Sequence, residues 1–285
     1  MLRAKVAVVV VAALGGLVWA DWNPGDPYKM HWPQLPNLGP TGMDVYDTTY
    51  WAPTGLVEQK WLGDDFLCTQ SGPITGIHVW GSWLFDRVPS QGIDHGTFDV
   101  AIYSDIPANQ SPTGYSMPGQ MLWHATFRPG MYQVRLYAQA TEQFYDPNAG
   151  QVIGTDNLVF QYNFFIPPPL AFYQQQNSIY WLVVTNYDPN NNGMIDPYDH
   201  EFIFGWKTTR LAYNFNDDAT FVDTPLGYPP ILPPPGAIWG EMRYPFGHPW
   251  AGESINLAFV ITPEPSSLLL LALGGLGLIQ YRRRR

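Results

Sequence analysis

Oxygen-bearing side chains recur at a fixed rhythm in DPNNNGMIDPYD, residues 188–199. Asp188, Asn190, Asn192, Asp196 and Asp199 stand at the first, third, fifth, ninth and twelfth positions, with Gly193 sixth and Met194 seventh. A Ca2+ ion takes about six to eight oxygen ligands, and a twelve-residue loop supplies them at this spacing, using a backbone carbonyl at the seventh position and glycine for a sharp turn. Ile195 adds an apolar anchor. The chemistry on offer is a structural Ca2+ held by Asp188, Asn190, Asn192, the Met194 carbonyl, Asp196 and Asp199. The chain carries its own control: YDPNAG at 145–150 repeats the Tyr-Asp-Pro-Asn opening of 187–190 without the later acids. Asp and Asn there make turns through their own backbone. Only Gly193, Ile195, Asp196 and Asp199 therefore ask for an ion.

The spacing resembles the calcium loop of EF-hand proteins and, in closing on Asp, that of dockerin modules. Those loops continue into helices, whereas SIYWLVVTN before and EFIFGWK after both read as strands. Three carboxylates instead of four or five imply weaker binding, because affinity follows ligand charge. A plain hairpin loop is the competing reading.

Other chemistry is sparse. There is no G-x-S-x-G elbow, H-E-x-x-H helix, phosphate loop or dinucleotide fingerprint. The histidines (His31, His78, His95, His124, His200, His248) are scattered, with no pair at ligand spacing. The single cysteine, Cys68, lies in apolar FLCTQ without the basic neighbours that activate a thiol, and alone it excludes an internal disulfide. Two routes to carbohydrate remain. A glycosidase needs two carboxylates brought together by the fold, and Asp64, Asp65, Asp86 and Asp99 are the candidates. A glycan-binding surface stacks flat rings on sugars, and Trp80 and Trp83 in HVWGSWLFD are candidate platforms. Lying three apart, they fall on opposite faces of a strand unless the backbone bulges at Gly81. Trp51, Trp61, Trp123 and Trp206 are further rings, with core filling as the competing role for each.

The elements that must position these residues read as strands. Runs of four to ten β-branched and aromatic residues, separated by Gly and Pro, occur at 66–70, 75–84, 97–104, 120–127, 132–138, 158–165, 178–186, 201–207, 219–222, 238–242 and 255–261. In FDVAIYS, Phe98, Val100 and Ile102 fall on one face and Asp99 and Ala101 on the other. Many short strands with turns between them predict an all-β fold, a β-sandwich or jelly roll, over residues 58–262. The Pro run at 166–169 marks an alternative subdivision. Residues 21–57 read as an irregular arm.

Both ends read as addresses. Arg3 and Lys5, an apolar run at 6–18 and small residues at Val18 and Ala20 form a signal peptide over 1–20, cut after Ala20 by signal peptidase. The other end carries Pro263, Glu264 and Pro265, an apolar run at 268–279, then Arg282, Arg283, Arg284 and Arg285. As a helix that run spans about 18 Å, short for a hydrocarbon core of about 30 Å, and the arginines favour the cytoplasmic side. The ending closely resembles the PEP-CTERM sorting signal of exosortase-bearing Gram-negative bacteria. The resemblance implies a transient transmembrane sorting helix over 263–285, processing near the triplet by an exosortase-type membrane enzyme, and delivery to the cell surface or extracellular matrix.

Between the addresses, residues 21–262 hold 23 acidic and 8 basic residues, a net charge of −15. That balance argues against nucleic acid, whose phosphates need Lys and Arg, and favours divalent cations. The blocks WLGDDF, GPITGIHVWGSW, VAIYSDIPA, MPGQMLW, FGWKTT and NLAFVITP resemble an uncharacterised exported domain found ahead of such tails, which implies a β-sandwich without known catalysis. The expected function is an exported, non-catalytic structural or adhesive protein that binds extracellular polysaccharide, with no catalytic residue assigned. The alternative is an exported carbohydrate-active enzyme using paired carboxylates.

The calcium loop has a direct check. Calorimetric titration of Ca2+ into the chain is expected to give a binding heat that Asp188→Ala sharply reduces. Identical flat traces for both proteins would remove the ion from the account.

Overall fold

The computed structural model describes residues 21–51, 57–188, 201–226, 233 and 237–263. Among these residues the chain is all-β, with a few short 3-10 turns and no α-helix, and no helix is long and apolar enough to cross a membrane. Ala20, Asn190, Asn192, Met194, Asp196, Asp199, Glu264, Pro265 and the terminal arginines lie outside the described residues.

The strands in chain order are β1 (Met43–Tyr46), β2 (Thr48–Trp51), β3 (Val57–Leu67), β4 (Gly72–Pro73), β5 (Gly76–Trp83), β6 (Thr97–Ile106), β7 (Met117–Phe127) and β8 (Tyr132–Asp146). They continue with β9 (Gln151–Phe165), β10 (Tyr173–Gln174), β11 (Ile179–Tyr187), β12 (Phe204–Lys207), β13 (Thr220–Leu226), β14 (Gly240–Glu241) and β15 (Phe259–Thr262). One sheet runs β14-β13-β3-β2-β11-β6-β7, with β3 also bonded to β11. Strands β10 and β4 pair as a separate two-stranded sheet. A second large sheet runs β12-β1-β8-β9-β5-β15, where β12 bonds β5 as well as β1. That extra pairing closes β12, β1, β8, β9 and β5 on themselves. Both large sheets draw strands from either side of residues 166–169.

Period-two alternation explains how the sheets meet. Phe98, Val100 and Ile102 of β6 and Tyr180, Leu182 and Val184 of β11 face the main core, while Ala101, Tyr103, Trp181 and Val183 form a second cluster on the opposite face. From the closed sheet, Val79 and Trp83 of β5, Tyr162 and Phe164 of β9, and Phe204 and Trp206 of β12 join the main core. Phe98 is the hinge pin between the layers. Its ring lies 5.4 Å from Tyr132, 5.1 Å from Tyr162, 5.4 Å from Phe164 and 5.1 Å from Phe204, mostly edge to face. Each such aromatic pair contributes about 0.5–1.5 kcal/mol beyond the area it buries.

The hairpin control behaves as turn chemistry requires. Asp146 Oδ1 accepts from the Asn148 and Ala149 amides, and Gly150 adopts a φ of 65° to reverse the chain from β8 into β9. The arm expected over 21–57 needs correction. Residues 21–42 are largely irregular, but 43–51 supply β1 and β2, short strands hidden by the surrounding prolines and glycines. The irregular part is strapped to the closed sheet, with the Lys29, Gln34 and Asn37 amides donating to the carbonyls of Ile261, Phe259 and Thr208.

Trp80 and Trp83 do point to opposite faces of β5, but neither reaches solvent. Trp80 packs edge-on against Trp22 and Tyr137, and Trp83 packs against Phe204 and donates its indole N–H to the Tyr162 hydroxyl at 2.9 Å. Trp22 and Tyr137 cover one ring and Phe204 and Tyr162 the other, so a sugar meets neither. Trp83→Ala is expected to cost about 3–5 kcal/mol of stability in urea unfolding. A loss under about 1 kcal/mol would contradict the core role.

Candidate functional site

The closure of the second sheet determines where its polar side chains go. Asp44 of β1 is the Cα partner of Lys207 of β12, and Glu142 of β8 is the partner of Asp156 of β9. Ser82 of β5 opposes Gly205 of β12. Residues two apart on a strand share a face, so Asp44 goes with Tyr46, Glu142 with Phe144, and Lys207 with Gly205. This face turns away from the main core, towards a small cluster of Tyr46, Leu84 and Phe144. Asp44, Ser82, Asp156 and Lys207 have no exposed surface, and Glu142 is 3% exposed. Glycine makes the room: a Cβ at Gly205 would strike the Phe144 ring, and one at Gly42 would strike the Glu142 carboxylate.

The cluster holds three carboxyls and one amine. Lys207 Nζ lies 3.1 Å from Asp44 Oδ2 and also contacts Glu142. One oxygen from each of Asp44, Glu142 and Asp156 lies within 4.8 Å of the other two, a spacing that could hold a metal ion. In this arrangement the lysine supplies the positive charge beside them. Stripping water from an ion costs several kcal/mol, and protonation responds to that cost. Burial holds the Asp44 carboxyl above the ordinary range, against the pull of Lys207. Burial, then the neighbouring Asp44 charge, pushes Asp156 up to about 10. Burial also lowers the Lys207 amine, against the pull of Asp44. The interior thus moves amine and carboxyls towards their neutral forms.

The residues singled out by spacing are dispersed. Asp188 directly follows β11, 3% exposed, with a φ of 46°. Asp64 and Asp65 are consecutive on β3 and project to opposite faces. Asp64 Oδ2 accepts from the Gln34 side chain at 2.7 Å and the Leu257 amide at 2.6 Å, and Asp65 accepts from Asn216 at 2.5 Å. Asp86 Oδ1 accepts from the Asn157 and Leu158 amides. Asp99 Oδ1 is bonded to Thr126 at 2.5 Å and to the His124 ring at 3.1 Å. No motif or spacing in the sequence marks Asp44, Glu142, Asp156 or Lys207. The one signal in the sequence is Lys207 closing the apolar strand EFIFGWK, a lone cation on the face it shares with Ile203 and Gly205.

Unfolded Asp titrates near 4, so Asp156 adds most to stability below about pH 4, and that contribution fades as pH rises towards about 10. Urea midpoints measured from about pH 5 to about pH 9 should fall more steeply for the native chain than for Asp156→Asn. Parallel curves would contradict a buried proton at this position.

Residues 30–262 match the domain of unknown function DUF7901, and residues 262–285 match the PEP-CTERM protein-sorting motif. No curated protein and no solved structure matches the chain. The sorting motif implies export and exosortase processing. With 233 of its 285 residues inside the match, the chain belongs to the DUF7901 family and carries a PEP-CTERM ending.

Proposed function

We propose that this is a non-catalytic protein of the cell surface or extracellular matrix, structural or adhesive, that engages extracellular polysaccharide through its exterior. Its PEP-CTERM ending supplies the destination. The use of its carboxylates is the observation that carries the rest. Asp64, Asp65, Asp86 and Asp99 are each engaged in hydrogen bonds that hold neighbouring strands or loops. The carboxyls that do converge, Asp44, Glu142 and Asp156, are buried where no sugar reaches them. A glycosidase instead needs an acid and a second carboxylate flanking an accessible glycosidic bond. Rings that reach solvent include Tyr28 at 43%, Trp32 at 38% and Tyr173 at 60% exposure, and these replace Trp80 and Trp83 as the rings a glycan would meet. A structural Ca2+ in the 188–199 loop belongs to the same reading, with the sequence spacing as its support.

A glycan array paired with reducing-end assays on the same polysaccharides tests this. Binding without hydrolysis, weakened at least several-fold by Trp32→Ala or Tyr173→Ala, is the expected result. Sustained release of reducing ends would favour the enzyme.

A further inference from the structure

We propose that Lys207 and Asp44 become joined by an intramolecular amide bond once the chain has folded, with Glu142 carrying the proton. The two reacting side chains are direct cross-strand partners on β12 and β1, and Nζ already lies 3.1 Å from Asp44 Oδ2. Glu142 contacts the same nitrogen, and one of its oxygens lies within 4.8 Å of one oxygen of Asp44. Nucleophile, electrophile and proton carrier thus meet in one enclosed space with little or no exposed surface.

The chemistry balances without a cofactor. The ammonium and carboxylate of the ion pair exchange a proton, leaving an amine and a carboxylic acid. The Nζ lone pair attacks Cγ of Asp44 and a C–N bond forms. Glu142 takes the proton from nitrogen and returns it to the departing Asp44 oxygen as the C–O bond breaks. One water leaves, and nothing is oxidised or reduced.

Three physical features favour this condensation. Holding the groups in contact replaces a bimolecular encounter with an effectively unimolecular step. The dry interior disfavours the charged pair relative to the neutral amine and acid that react. The amide also removes two buried charges whose desolvation is costly. Asp44 is the acceptor because it faces Lys207 directly across the strand pair. Glu142 approaches from β8, the strand beyond β1, and contacts the same nitrogen. The bond would close a loop of 163 residues in a chain whose lone Cys68 permits no internal disulfide. Cross-links across long loops constrain the unfolded chain strongly.

The test compares the full chain with Lys207→Arg by intact mass under denaturing conditions. The native chain should be lighter than the substitution alone predicts by one water. Its proteolytic digest should contain a branched peptide joining the segments around Asp44 and Lys207. Glu142→Gln keeps both partners and removes the proton carrier. It should fold, by circular dichroism, yet retain the unmodified mass. Linear peptides at Asp44 and Lys207 in the native chain would overturn the proposal, as would a branch mapped to Glu142. Undiminished cross-linking in Glu142→Gln would remove that residue from the mechanism.

Discussion

The pairing of β12 with both β1 and β5 is the constraint on which the rest depends. Four residues, Phe204–Lys207, hydrogen-bond on both edges and turn an open sheet into a closed one. Closure gives the sheet an enclosed face, and the pleat then assigns each side chain to that face or to the aromatic core. Phe204 and Trp206 go to the core, Gly205 and Lys207 to the enclosed side. Gly81 allows the close approach of β5 and β12, since any Cβ there would strike the Phe204 ring and the Gly205 carbonyl.

This geometry explains why so acidic a chain buries so many of its acids. Asp44, Asp47, Asp64, Asp65, Asp99 and Asp156 have no exposed surface. Burying a carboxylate is costly unless it is bonded or protonated, and the protein uses both remedies. Asp64 ties β3 to the Gln34 side chain and the Leu257 backbone, while Asp156 keeps its proton. An exported domain with one thiol must hold its layers together with aromatic packing and polar links. Phe98 supplies the first, inserted among rings of β8, β9 and β12.

Much of the fold was legible because strand periodicity is local. The alternation in FDVAIYS reappears as the two faces of β6, and the Tyr-Asp-Pro-Asn turn at 145–148 reappears as an Asp146-bonded reversal. β1 and β2 were missed because they are four residues long and sit among prolines and glycines, where tertiary pairing rather than propensity makes them strands. The tryptophans misled for a related reason. Three-residue spacing shows that Trp80 and Trp83 diverge, but the covering comes from Trp22 and Tyr137 on one side and Phe204 on the other.

By itself, then, the sequence determined the sorting address, the all-β class, the turn at 145–150 and the two-faced character of each strand, all of which depend on neighbours within a few residues. Only the tertiary structure decided which faces are sealed and which charges meet. Asp44 and Lys207 are 163 residues apart, and nothing in either neighbourhood points to the other. Their meeting follows from strand order and register, long-range properties that a period-two pattern leaves open.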